Sequence, residues 1–148
     1  MRNIIISIIG LLACAITAAD NGLVNVKSSH DVATTADNLE NALNSKGMTI
    51  FTRINHAQGA MSVDMELRPT VVVIFGNPKV GTPLMQCQQS VAIDLPQKIL
   101  IYEDDQGQTL LTYNDPMYLN KRHNLADCSG VLEKVSGALA NFAKAATE

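Results

Sequence analysis

The sequence predicts an α+β fold: a two-layer domain in which one mainly antiparallel sheet carries helices on one face, in the order β-α-β(4)-α with short helical inserts. Three observations predict it. Five short stretches, at 23–27, 48–54, 70–75, 98–103 and 108–113, alternate apolar with polar residues or run β-branched, as strands do. Only two long stretches repeat apolar residues at helical spacing, enough to cover one face of a sheet. The last two strand stretches are joined by Asp104-Asp105-Gln106-Gly107, too short for a parallel crossover, so they form an antiparallel hairpin.

Each element has a local cause. Leu23 to Lys27 alternates as a half-buried strand. Ser28, Ser29 and Asp31 offer caps to a helix with Val32, Ala36, Leu39 and Leu43 on one stripe. Gly47 stands where a left-handed residue ends a helix. Met48, Ile50, Thr52 and Ile54 are expected to share one face of the next strand, while 57–67 has mixed signals with some helical spacing. Thr70 to Phe75 is nearly all β-branched or aromatic and starts after Pro69, which suits a central strand. Gly76 to Pro83 reads as a structured loop, with Thr82-Pro83 capping a short helix through Gln89. Asp115-Pro116 starts a small helix toward His123. Val131, Val135, Leu139 and Phe142 define a closing amphipathic helix of about four turns. The sheet's second face is also rich in apolar residues, so it is expected to be covered, by the inserts or by a second copy.

The first nineteen residues stand apart. Fourteen of them are apolar, and without them the apolar share falls from 47% to about 43%, an ordinary soluble composition. Arg2, the run Ile4–Leu12 and the small residues Thr17-Ala18-Ala19 have the layout of a signal peptide. Residues 1–19 are therefore expected to be removed near Ala19, leaving a single periplasmic or secreted domain over 20–148. Leu11-Leu12-Ala13-Cys14 offers a lipoprotein alternative, but its second leucine is atypical of that motif, so a lipid anchor at Cys14 is not favoured. No later segment is long enough to span a bilayer. The formal net charge of −3 becomes −4 without Arg2. With no basic patch, nucleic-acid binding is excluded.

Export leaves Cys87 and Cys128 as an even pair in an oxidising compartment. A disulfide would close a loop of about 42 residues and stabilise by roughly 4 kcal/mol on the chain-entropy model. Two separate buried thiols are the other reading.

Residues that bear chemistry are few. Of His30, His56 and His123, the last two stand at element ends, where sites collect. If they met in space they could serve as acid–base or metal-ligand groups, although their spacing matches no metal motif. The Gly76–Pro83 segment lacks both nucleotide-binding glycine patterns. An anion near Thr82 competes there with a plain turn. No complete nucleophile signature is present. Asp94, Glu103 and Asp115 do not differ in spacing from surface charge.

Longer motifs carry a resemblance. Gly76-Asn77-Pro78-Lys79-Val80-Gly81-Thr82-Pro83-Leu84-Met85 and the stretch from Ile93 to Asp104 resemble the central signature of the bacterial domain of unknown function 302. So do Ile54-Asn55-His56-Ala57, Tyr113-Asn114-Asp115-Pro116 with Tyr118-Leu119, and Arg122-His123. The resemblance runs from about Gly22 to Ala143. It implies a two-layer fold related to TATA-binding-protein-like folds, without DNA binding, and homodimers. It implies no activity, but it places His56, Asn77, Asp94, Tyr113, Asn114, Asp115 and His123 in the signature, and these are the ligand-binding candidates. Cys87 and Cys128 lie outside it. The expected function is an exported binding or accessory module for a small ligand, a metal or a haem-like cofactor, since no catalytic signature is complete. The alternative is an enzyme whose acid–base or metal site uses His56 and His123 with Asp94 or Asp115.

Overall fold

Alternation along the strands sorts their side chains into two faces, and the sheet follows from pairing them. The computed structural model describes residues 21–148 together with the backbone of Thr17–Ala18. The strands are β1 (Thr17–Ala18), β2 (Leu23–Lys27), β3 (Thr49–Asn55), β4 (Thr70–Gly76), β5 (Gln97–Glu103) and β6 (Thr109–Asn114). The helices are α1 (Val32–Ser45), α2 (His56–Met61), α3 (Pro78–Cys87), α4 (Pro116–His123) and α5 (Ser129–Thr147), with 3₁₀ turns at Gln89–Ile93 and Ala126–Cys128. The sheet order is β1-β2-β6-β5-β4-β3, and every neighbouring pair is antiparallel. This is the predicted α+β architecture. The expected export segment lies outside the described residues, apart from Thr17 and Ala18, whose backbones pair with Asn25 and Val24.

One face of the sheet builds the core. Val71, Val73 and Phe75 of β4, Ile99 and Ile101 of β5 and Leu111 of β6 are buried against α1 and α5. Leu39 and Leu43 of α1 and Leu132 and Leu139 of α5 meet them with no more than 2% exposure. Burying each such side chain is worth about 1.5–3 kcal/mol. The two helices are tied at one end, where the Ser29 amide and hydroxyl both donate to the Thr147 carbonyl at 3.0 and 2.8 Å. Asp31 caps α1 by accepting the Thr34 amide at 2.7 Å, and Gly47 takes φ +67° just after that helix ends, both as the residues predict.

The opposite face is left open. Val72, Ile74, Leu100, Tyr102 and Leu110 are only half-buried, and Ile54, Met61, Val63, Met65 and Leu67 beside them are 40–72% exposed.

Two local expectations are corrected. Met48, Ile50, Thr52 and Ile54 do not share a face, because the β3–β4 register shifts between Ile50 and Thr52. Ile50 stands opposite Phe75, on the helix side, whereas Ile54 stands opposite Val72, on the open side. The extra residue is Phe51, and a bulge of this kind resets the alternation. The expected loop at Gly76–Pro83 is largely helix. Asn77 caps α3 through the Lys79 amide at 2.9 Å, and Pro78 at the first helical position needs no amide partner. Thr82-Pro83 therefore sits inside α3 and starts no helix, which removes the anion reading at Thr82. The mixed segment 57–67 resolves into the six-residue α2, capped by Asn55, followed by irregular chain.

Candidate functional site

The bulge in β3 and the early start of α3 together open a space in the helix layer. Phe51, displaced by the bulge, lays its ring near Gly76, where an added Cβ would meet Phe51 Cε2 at 3.3 Å and Pro96 Cβ at 3.5 Å. Gly76 ends β4, and α3 starts two residues later at Pro78 and runs beside α5. The result is a cavity of about 710 Å³ between α1, α3 and α5, a size typical of small-molecule sites. Its walls include Met48, Phe75, Leu84, Met85, Leu139 and Phe142. Phe75 and Phe142 meet edge to face with centroids 6.2 Å apart, which stiffens the floor. Polar groups are few; among them Lys46, Asn77, Gln97, Lys134 and Asn141 reach it. The arrangement can enclose an apolar body and meet a polar end.

A second cluster lies where α4 packs on the 3₁₀ turn before β5. His123, the last residue of α4, is 8% exposed. Its Nε2 lies 2.6 Å from Asp94 Oδ2, and its Nδ1 lies 3.0 Å from Ser90 Oγ. In the tautomer that suits both partners, Nε2–H donates to the Asp94 carboxylate and Nδ1 accepts from the Ser90 hydroxyl. Arg122 donates to the other Asp94 oxygen at 3.2 Å. Lys98 donates to the carbonyls of Asp94 and Pro96 at 3.2 and 3.0 Å, holding the turn that presents the carboxylate. Both nitrogens of His123 are thus occupied inside the fold. Ser90, at the other end of the chain of bonds, is exposed. None of Ser90, Asp94 and His123 lines the cavity.

The candidate residues scatter around these two places. Asp94 and His123 are brought together. Asn77 caps α3 and lines the cavity. Asp115 caps α4 through the Met117 amide at 2.9 Å. Asn114 pairs with Leu23 at the end of β6. Tyr113 is buried between Val24 and Ile99. Burial first, and the nearby Asp115 carboxylate second, push its phenol above the ordinary tyrosine range, so it stays neutral.

His56 and His123 are not brought together. His56 is exposed at the start of α2, just after Asn55, which pairs with Val71. The turn holding Asp94 enters β5 at Gln97, opposite Phe75. Those two levels of β4 are about 13 Å apart along the strand. Among the described residues no three His, Cys, Asp or Glu side chains converge as a metal site.

Cys87, ending α3, and Cys128, just before α5, have their sulfur atoms in contact and their Cα atoms 6.5 Å apart, a separation that suits a disulfide. Ser90 and the cavity walls were not among the sequence candidates. Ser90 stands 33 residues from its partner, and no local pattern marks it. The walls are ordinary core residue types whose gap exists only once the helices are placed.

The sequence profile of the family described as Domain of unknown function DUF302 matches residues 24–142. The chain is 44% identical over 115 residues to the protein named Fluoride-specific ion channel FluC 1 of Brucella suis biovar 1, covering 78% of this chain and 45% of that protein. The same identity over the same length is found with Fluoride-specific ion channel FluC 2 of Brucella melitensis biotype 1, covering 43% of it. The chain thus spans less than half the length of the curated relatives it matches. Among solved structures, an uncharacterized conserved DUF302 protein from Bacillus stearothermophilus superposes with a TM-score of 0.76 at 18% identity, covering 84% of this chain and 98% of that one. That likeness is one of fold.

Proposed function

The chain belongs to the DUF302 family, and from its cavity we propose that it is a binding module for a small, largely apolar molecule. One observation carries the reading: an open volume of about 710 Å³ inside the helix layer, walled by apolar side chains with a few polar groups. Apolar wall residues such as Phe51 and Val80 stay exposed in this open cleft, and an exposed apolar concavity with a few polar groups marks a ligand site. The Brucella relatives support a module reading, since there the matched stretch makes up less than half of a longer protein. Their channel activity is not carried over to this chain. Among the described residues, no helix is long and apolar enough to cross a membrane.

The test is a titration with the neutral dye N-phenyl-1-naphthylamine. Saturable fluorescence enhancement is expected, and Ala138→Trp, which fills the cavity from α5, is expected to abolish it while leaving the thermal midpoint unchanged. Absence of binding, or binding that survives in Ala138→Trp, overturns the reading.

The module is further proposed to work after export, as a homodimer, with Cys87 and Cys128 bridged. The signal-like residues 1–19, the half-buried apolar face around Leu100 and Tyr102, and the 6.5 Å Cα separation of the cysteines support these points in turn. Mass spectrometry of the mature N-terminus and of alkylated, unreduced protein, with sedimentation equilibrium, tests all three.

A second reading is favoured by one specific observation, the hydrogen-bonded order Asp94–His123–Ser90 with Ser90 exposed. It makes the chain a hydrolase with Ser90 as nucleophile and His123 as base. A fluorophosphonate that labels Ser90, and fails to label it in His123→Ala, would carry this reading; an unlabelled wild-type chain removes it.

A further inference from the structure

The cavity's walls describe the body of a ligand, and its rim describes the head. This inference rests on the cavity being a binding site. Lys46, capping the end of α1, and Lys134, early in α5, both border the cavity and are both exposed. No Asp or Glu borders it. Among the described residues neither ammonium has an ion-pair or hydrogen-bond partner. The acidic groups of α1 do not compensate Lys46, because Asp37 and Glu40 are both engaged by Arg53 from β3. Among the described residues, several other cations are engaged, Arg122 by Asp94, Lys144 by Glu148 and Lys98 by two carbonyls, whereas Lys79 and Lys121 have no ion-pair partner but do not line the cavity. In a chain of formal net charge −3, an apolar cavity bordered by two uncompensated lysines and no carboxylate is a local reversal of sign.

We infer that the cavity takes an anionic single-chain amphiphile, its hydrocarbon body between α3 and α5 and its charged head at Lys46 and Lys134. The cavity follows α5 from Lys134 to Ala145, about 16 Å at the helical rise, so the long dimension suits an extended chain. Lysine is a compact, mobile point charge, which suits a head held at the water boundary better than one buried by a fixed fork. Apolar burial supplies most of the affinity and the lysines supply selectivity, since exposed ion pairs contribute modestly.

Displacement of bound N-phenyl-1-naphthylamine by dodecanoate, 1-dodecanol and dodecyltrimethylammonium tests the inference at constant chain length. Dodecanoate is expected to displace the dye at a concentration about five- to tenfold lower than dodecanol, with the cation weakest, as two exposed ion pairs allow. The double variant Lys46→Gln/Lys134→Gln is expected to erase that advantage while leaving dye binding and dodecanol displacement unchanged. Equal potency of dodecanoate and dodecanol in the wild type overturns the inference and leaves the binding reading intact, as does an advantage that survives in the double variant. Failure of the dye itself to bind overturns the binding reading instead.

Discussion

Removing the imidazole of His123 should break one identifiable clamp, and its cost can be worked from the distances. His123→Ala loses the 2.6 Å bond to Asp94, a charge-assisted bond worth about 2 kcal/mol, and the 3.0 Å bond to Ser90, worth about 1 kcal/mol or less because Ser90 is exposed. It also leaves the Asp94 side chain, 12% exposed, with Arg122 as its side-chain partner. The expected loss is about 3 kcal/mol, or roughly 10 °C in thermal midpoint for a domain of this size. Asp94→Ala strands a buried Nε2–H and should cost about 2 kcal/mol. Once either partner is gone, removing the other has less to break. The double variant should therefore fall short of the summed single losses by about 1.5 kcal/mol. Urea unfolding followed by circular dichroism at neutral pH measures all three, provided the slope with denaturant is unchanged. A coupling below about 0.5 kcal/mol would show that Asp94 and His123 do not act as a pair, and the derivation of the clamp would fail.

Two further outcomes are expected. Because the buried Tyr113 phenol is raised above the ordinary value of 10.0, the unfolded chain releases that proton more easily; stability is present below this pH and falls as pH rises through it. Tyr113→Phe should lose less stability than wild type as pH rises through and above the ordinary tyrosine value, and parallel urea midpoints in the two chains would refute it. Gly22 holds φ +77° with the Tyr118 ring where a Cβ would stand, so Gly22→Ala should cost about 3 kcal/mol from backbone strain and overlap together. Adding Tyr118→Ala should recover the part due to the ring, as read by thermal melts, and no recovery would place the cost in the backbone and in the remaining contact with the residue 118 Cβ.

How much of this was legible in the sequence depends on the range over which each feature is decided. Helix starts at Asp31 and Asp115 follow from a side chain meeting an amide two or three residues away. The hairpin at Asp104–Gly107 follows from the length of its loop, and the buried stripe of α1 from helical spacing. These causes lie within a turn or two of chain, so residue order alone determines them. Family membership was legible for the same reason, through contiguous motifs. The bulge at Phe51 was not, because an extra residue in a strand shows only against its partner's register. Ser90, Asp94 and His123 lie 29 and 33 residues apart, and no propensity couples groups at that distance. Only the docking of α4 on the turn before β5 brings them within hydrogen-bond reach. The cavity is the limiting case: its walls are apolar residues that any core would use, and their identities predict burial equally well with the gap filled or open. Whether a space remains is decided by where rigid helices come to rest on a twisted sheet, since close packing is a property of the assembled layers and not of any segment.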